Sequence, residues 1–194
     1  MNEFYHGRKS NAFCLTLKNG DNMNKKEDIL SLISSYPKTW SLLSKFEEGK
    51  LTLPEESIPS SGMLTYKESI EAIEVLKKHL MEKGEATSHF GLHPKNKLEG
   101  ILGNIDQTFE EKHLYPSREE KAAHLLYFLI KDHPFSDGNE IISVLLFLIY
   151  LKKEGISLAS LNEKALAALA IMIADSDPYD KDLIIRLIVN MIIA

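Results

Sequence analysis

Residues 132–141 read Asp-His-Pro-Phe-Ser-Asp-Gly-Asn-Glu-Ile, a polar turn enclosed by two apolar segments. The segment before the turn opens with a Ser-x-x-Glu pattern at 117–120, which is typical of a helix capping box. The segment after it, 139–153, is strongly apolar. Because Pro134 disfavours helix at His133, we expect one helix to end at the turn and a second to begin directly after it. The sequence therefore predicts a mainly α fold packed around this pair of helices.

The turn also carries residue types that can do chemistry. His133 can act as a general base near neutral pH, and Asp137 can hold a hard divalent cation. Gly138 lets backbone amides approach an anion, and the first amides of the next helix lack partners within that helix. These features predict a site for a phosphate-bearing ligand with its metal. The alternative is a tight turn in which Asp137 only caps the next helix and His133 is a half-buried polar group.

Further helices are predicted from apolar spacing and from start and stop residues. Two short helices, 27–35 and 39–48, are separated by Pro37, and 51–62 is expected to be a loop. The other expected elements are a helix from a capping box at 65–68 to Gly84, a helix capped by Ser160 and Glu163 that runs through Ile173, and a last helix that begins at Pro178. Trp40 and Phe46 are expected in the core.

Residues 89–116 show no sustained helical period, and Ile101 to Phe109 is the segment predicted to be extended or a hairpin. His89 and His93 are four apart, but Gly91 and Pro94 argue against a helix there, so loop histidines are expected rather than a metal site. His124 is expected either to support the turn or simply to be packed.

The composition of the chain excludes several classes of protein. The chain has 194 residues, 44% of them hydrophobic, with 23 Lys plus Arg against 28 Asp plus Glu, for a net charge of −5. These values are ordinary for one globular domain, and the absence of a basic stripe argues against general nucleic-acid binding. A single cysteine, Cys14, permits no disulfide within the chain. No signal peptide or membrane span is predicted, so we expect a cytoplasmic protein without a membrane partner.

The turn resembles the signature of the Fic/Doc family, HxFx(D/E)GN(G/K)R, and matches it from His133 through Asn139. The resemblance continues outside the signature, where the chain looks like bacterial Fic proteins linked to RhuM-type virulence proteins. It covers about two thirds of the chain, from near Thr65 to the end. The segments that carry it are 103–109, 115–117, 120–128 and 165–190.

The resemblance implies a Fic-type helical bundle with a short β-hairpin flap. Residues 1–24 would be a flexible arm and 25–194 a single domain, in which 25–62 are accessory or inhibitory helices and 63–194 form the Fic core. The implied reaction moves AMP from ATP-Mg²⁺ onto a Ser, Thr or Tyr hydroxyl of a target protein. The implied compartment is the bacterial cytoplasm, with a secreted effector as the alternative, and a homo-oligomer is compatible with the apolar stripe 183–193.

Roles transfer position by position under this resemblance. His133 would deprotonate the target hydroxyl, Phe135 would anchor the loop, and Asp137 would ligate Mg²⁺. The nucleotide would lie against Gly138, Asn139 and Glu140. The flap would dock the target as an added strand; its residues are Ile101, Gly103, Asn104, Ile105, Asp106, Gln107, Thr108 and Phe109.

The chain departs from the signature after Asn139, where Glu140 and Ile141 stand in place of Gly or Lys followed by Arg. The missing arginine normally meets the nucleotide phosphates, so we expect weakened nucleotide binding. One alternative is a catalytically inactive Fic-fold protein that acts as a binding or regulatory module. A Doc-like protein kinase toxin is a third, which Gly138 and the absent basic pair disfavour.

A second family feature is an inhibitory helix with the pattern (S/T)xxxE(G/N), which Ser44 to Gly49 fits. Glu48 would normally pair with a second arginine of the signature, but that position is Val144 here. Ser44 and Glu48 are therefore candidate inhibitory residues. The alternative is a helix end with solvated glutamates and a glycine cap.

Overall fold

The computed structural model describes residues 26–53, 58–159 and 161–193. The chain divides into two units, Met1–Ser41 and Leu42–Ala194. The predicted N-terminal arm and Cys14 lie outside the described residues. Helix α1 (Lys26–Ser35) belongs to the first unit, and the unit boundary falls within α2 (Pro37–Glu47).

The second unit is built almost entirely of helices, which confirms the predicted mainly α class. A small antiparallel hairpin pairs Thr108 with His113 and Phe109 with Lys112. In chain order, the elements of the second unit after α2 are α3 (Tyr66–Glu82), α4 (Lys95–Asp106), β1 (Thr108–Phe109), β2 (Lys112–His113), α5 (Arg118–Lys131), α6 (Asn139–Lys153), α7 (Glu163–Asp175), a 3-10 turn (Pro178–Asp180) and α8 (Lys181–Ile193).

Helices α5 and α6 form the centre of the core, as the sequence predicted. Helix α5 is buried around most of its circumference because α4, α6, α7 and α8 all pack against it. Helix α6 is also covered by α3 and α7. The polar turn that joins α5 to α6 is therefore attached at both ends to the buried centre of the fold.

Both predicted capping boxes are present. The Glu68 amide donates to Thr65 Oγ1 at 3.1 Å while the Thr65 amide donates to Glu68 Oε2 at 2.7 Å. Ser117 and Glu120 make the equivalent reciprocal bonds at the start of α5. The bonds from Thr65, with Lys153 at 3.1 Å, lower the pKa of Glu68 to about 2. These caps involve only neighbours in sequence, so the residues alone were sufficient to predict them.

The prediction of extended structure from Ile101 to Phe109 was wrong for residues 101–106, which belong to α4. Only Thr108 and Phe109 form a strand, and the hairpin turn that follows places Glu110 and Glu111 at φ 48° and 65°. The helix forms because Leu98, Ile101, Leu102 and Ile105 lie on one buried face. The burial of this face outweighs the low helix propensity of the two glycines within α4.

Three smaller predictions also need correction. The Asn162 side chain caps α7, with Oδ1 accepting from Lys164 N at 2.8 Å, whereas Ser160 lies outside the described residues. The last helix begins at Lys181, after the 3-10 turn that Pro178 opens. Trp40 and Phe46 are exposed rather than in the core.

Within the described residues, no helix is both long enough and apolar enough to cross a membrane.

Candidate functional site

The predicted site is a loop between α5 and α6. Helix α5 ends at Lys131, and the Asp132 amide still donates to Phe128 O at 2.9 Å. His133 then adopts φ 43°, a left-handed conformation that is uncommon for a residue other than glycine. The prediction that the helix ends before Pro134 is confirmed. Burial raises the pKa of Asp132, and the positive charges of Lys97 and Lys181 oppose that rise.

Asn139 closes the loop from within. Its Oδ1 accepts a hydrogen bond from Phe135 N at 2.9 Å, and its Nδ2 donates to Phe135 O at 2.8 Å. Both residues are buried, and Phe135 packs in the hydrophobic core. Both polar atoms of the Asn139 side-chain amide are therefore bonded to Phe135, and one of the two Nδ2 hydrogens is not used by this clamp.

Gly138 is required at the start of α6 for two reasons. It has φ 80°, and a Cβ built on it would lie 2.2 Å from Cε2 of Phe90. Phe90 is itself buried, so its ring has little room to yield. The sequence reasoning assigned Gly138 to nucleotide contact and did not identify Phe90 as its packing partner.

The segment that precedes α4 lies against the loop and bonds to it through the main chain. The Ser136 amide donates to Leu92 O at 2.7 Å, and the Gly91 amide donates to Asp137 O at 3.1 Å. The His93 ring packs edge-on against Phe135, with centroids 5.2 Å apart. The expectation that His89 and His93 are loop residues is confirmed, and no group of three or more metal-ligating side chains occurs among the described residues.

The outer surface of the loop exposes the residues suited to chemistry. His133, Ser136 and Asp137 are exposed, whereas Phe135 and Asn139 point inward. In the part of the chain that the structure describes, no side-chain hydrogen bond caps α6, so the alternative in which Asp137 acts as the helix cap is not observed. The first amides of α6 therefore have no side-chain cap at the point where the loop ends.

Mg²⁺ usually retains several waters and binds through one or two carboxylates together with substrate phosphates. The exposed carboxylate of Asp137, next to the uncapped N-terminus of α6, fits a metal that arrives with a nucleotide. It does not fit a metal held by protein ligands alone.

The two departures from the signature lie in the first turn of α6. Glu140 is half-buried and Ile141 is 52% exposed, so an apolar side chain faces solvent at this position. Val144 packs against the core. Neither Ile141 nor Val144 can donate a hydrogen bond to a phosphate.

The predicted flap residues are divided between α4 and the hairpin. Ile101 and Ile105 are buried in α4, which also includes Gly103 and Asn104. Asp106 ends that helix in an ion pair with the buried Lys121. Gln107 O accepts from Leu114 N at 3.1 Å and closes the base of the hairpin. Only Thr108 and Phe109 form a strand, and Phe109 is 71% exposed.

Ser44 and Glu48 bond to each other and to a near neighbour. Ser44 Oγ donates to Glu48 Oε1 at 2.8 Å, and Lys50 Nζ lies 2.6 Å from Glu48 Oε2. These two groups lower the pKa of the exposed Glu48 carboxyl, with Lys50 the larger cause. Within the part of the chain that the structure describes, Glu48 makes no hydrogen bond to the loop at 133–139.

His124 is a packed residue of α5. It is 7% exposed, its Nδ1–H donates to Glu120 O at 2.8 Å, and its ring stacks on Tyr115 with centroids 3.6 Å apart. Burial lowers the pKa of His124 to about 4, although the hydrogen bond to Glu120 opposes that shift. The packed alternative is therefore the one observed.

Comparison with known proteins identifies the domain that holds this loop. Residues 67–151 match the model of the Fic/DOC family, a range that includes α4, the hairpin, α5, the loop and nearly all of α3 and α6. No curated protein matched the chain, and neither did any solved structure. The chain therefore contains a Fic/DOC family domain, which spans residues 67–151.

Proposed function

We propose that this domain transfers AMP from ATP-Mg²⁺ to a hydroxyl group of a protein, with a weakened nucleotide site. The observation that carries the proposal is the arrangement of His133 and Asp137, which are both exposed on a loop clamped by Asn139 at the uncapped start of α6. A base and a metal ligand are then both exposed on the loop that leads directly into the uncapped start of a helix. Positioning and charge neutralisation supply most of the rate in phosphoryl-group chemistry.

In this mechanism His133 accepts the proton of the target hydroxyl, whose oxygen attacks the α-phosphorus of ATP. The bond between the α-phosphorus and the oxygen that bridges it to the β-phosphorus breaks, and pyrophosphate leaves. Asp137 would hold Mg²⁺, which would neutralise charge on the phosphates. The first backbone amides of α6, including that of Asn139, would donate to the α-phosphate. The target segment would dock beside the hairpin at 108–113.

Two residues of the first turn of α6, Glu140 and Ile141, support the proposal that nucleotide binding is weak. A hydrogen bond to a charged group contributes roughly 1.5 to 3 kcal/mol, so the absence of arginine at Ile141 costs about tenfold to a hundredfold in affinity. Glu140 adds negative charge in the turn that would receive the phosphates. Its own interaction with the helix dipole is nevertheless favourable.

A catalytically silent binding module is the second candidate. The exposed Ile141 favours it, because an apolar side chain lies where a phosphate-binding cation is expected. A protein surface would accept this side chain more readily than a nucleotide would. A Doc-like kinase is the third candidate, distinguished by transfer of phosphate instead of AMP.

The test is calorimetric titration of the full chain with ATP-Mg²⁺, followed by intact-mass analysis for added AMP. We compare the wild type with the double variant Glu140→Gly/Ile141→Arg and with His133→Ala. Ile171→Arg is the matched control, since it adds the same charge at an exposed apolar position of α7.

We expect weak wild-type binding that requires the metal, tightening of about tenfold or more in the double variant, and no tightening in Ile171→Arg. His133→Ala should bind nucleotide but transfer no AMP. If neither the wild type nor the double variant binds ATP, the proposed transferase is wrong. Binding by the double variant alone would favour the silent module.

A further inference from the structure

We propose that His93 is a positioning residue for the loop at 133–139, acting through Phe135 and the main chain of Gly91. The proposal extends the proposed function, but its structural part stands whether or not the site binds a nucleotide. It rests on the hydrogen bonds and ring contacts that converge on this one histidine.

The first step is the orientation of the imidazole. His93 Nδ1 lies 2.7 Å from Gly91 O. A carbonyl oxygen can only accept, so Nδ1 carries the proton, and in the neutral ring Nε2 must be the acceptor. Tyr66 Oη lies 3.3 Å from Nε2 and therefore donates to it. The ring is thus held at both nitrogens, by its own segment and by the first turn of α3.

The second step is what the fixed ring supports. One edge packs against Phe135, whose main chain is clamped by Asn139. The residue whose carbonyl the ring holds, Gly91, donates its own N–H to Asp137 O. His93 therefore contacts the buried anchor of the loop and also bonds to Gly91, the residue whose N–H, in the adjoining Phe90–Gly91 peptide, donates to the candidate metal ligand Asp137.

The third step is the reason that neighbouring residues cannot replace the hydrogen bond from His93 to the Gly91 carbonyl. Gly91 has φ 73°, and a Cβ there would lie 2.7 Å from Cγ2 of Ile73. Phe90 is packed beneath Gly138. Among the described residues, the Gly91 carbonyl accepts a hydrogen bond from His93 alone, so loss of that bond leaves the carbonyl unpaired. The close packing at Phe90 and Gly91 limits how far the segment can shift to find another donor.

The experiment compares His93→Phe with His93→Asn. Phenylalanine keeps a ring against Phe135 but removes both hydrogen bonds, whereas the asparagine Nδ2 can stand near the place of Nδ1 and donate to Gly91 O. Tyr66→Phe removes only the bond to Nε2. Ser60→Ala is the control for a general stability loss, because it removes bonds to Tyr150 and Glu154 at the far end of α6.

The first readout is amide hydrogen exchange of Gly91, Phe135 and Ser136, measured against Leu126 within α5. In His93→Phe we expect the three loop-associated amides to exchange roughly three- to tenfold faster relative to Leu126, with partial recovery in His93→Asn. A purely structural loss, as in Ser60→Ala, would change all four amides by a similar factor. An unchanged ratio in His93→Phe overturns the proposal.

The second readout is the Kd for ATP-Mg²⁺, which separates the proposal from the function on which it builds. If the wild type binds, the Kd should rise at least about threefold in His93→Phe and less in His93→Asn. If the wild type does not bind, the transferase proposal fails while the exchange ratios still decide the role of His93. An unchanged Kd together with altered exchange would contradict the link to the site.

Discussion

The side-chain amide of Asn139 spans the loop to Phe135, accepting from its N–H at 2.9 Å and donating to its carbonyl at 2.8 Å. One residue therefore satisfies both main-chain groups of the buried loop anchor. A buried peptide group without such a partner is costly, so this pair fixes the loop as well as the helix start.

Replacing Asn139 by alanine should destabilise the protein. Two buried hydrogen bonds are lost and both Phe135 main-chain groups are left unpaired, so we expect a loss of about 2 to 4 kcal/mol. For a chain of this size the melting temperature should fall on the order of 5 to 10 °C by scanning calorimetry. The control is Asn162→Ala, which removes only the cap of α7 and should cost about 1 kcal/mol. Equal losses in the two variants would argue against the clamp.

Gly138→Ala should be much more harmful than Gly155→Ala. Both glycines have positive φ, 80° and 67°, so both variants carry the strain of a left-handed alanine. Only at Gly138 would the new Cβ meet a ring, since nothing lies within 4 Å at Gly155. Chemical denaturation should give a difference of about 2 kcal/mol or more between the variants. A smaller difference would show that the Phe90 ring can move aside.

The buried His124 should make stability depend on acid pH. Its pKa is lowered to about 4 in the folded protein from 6.5, so the unfolded chain binds the additional proton between these values. The contribution is fully present above pH 6.5 and is lost as the pH falls toward 4, with a magnitude on the order of 3 kcal/mol. Melting temperatures of His124→Phe between pH 4 and 7 should therefore vary less than those of the wild type.

The control for this pH dependence is His79→Gln, which removes an exposed histidine of α3 without disturbing the stack on Tyr115. If the two variants flatten the profile equally, the buried ring is not its source.

Glu48→Gly tests the candidate inhibitory residue. Because Glu48 bonds to Ser44 and Lys50, we expect the affinity for ATP-Mg²⁺ to stay within about twofold of the wild type. The titration should be repeated in the Glu140→Gly/Ile141→Arg background, where binding is easier to detect. Glu47→Gly, one residue earlier, is the matched control. A gain of tenfold in Glu48→Gly alone would instead support inhibition.

Local signals explain which sequence predictions succeeded. The capping boxes at Thr65 and Ser117 depend on residues three apart in the chain, and the structure contains both. The start of α6 at Asn139 follows from Pro134 and the apolar run, and it too was correct. The residues of the loop, His133 through Asn139, could be named from the signature alone.

Helix α4 shows where the sequence was insufficient. Gly100 and Gly103 weaken the local preference for helix, and the burial of Ile101 and Ile105 against the core overcomes that weakness. The hairpin consequently begins at Thr108, seven residues later than predicted. The contacts of Phe90 and His93 with the loop likewise depend on tertiary packing, to which no spacing rule applies.

The sequence by itself determined the helical class, the central α5–α6 pair and the residues of the loop, because caps, prolines and apolar periodicity act through neighbouring residues. Only the tertiary structure decided that the Asn139 side-chain amide bonds to the main chain of Phe135, that Gly138 packs against the Phe90 ring, and that His93 contacts the loop. The physical reason is that these contacts join segments more than 40 positions apart or depend on which side of the loop faces the core, and burial there is set by the packing of the whole bundle.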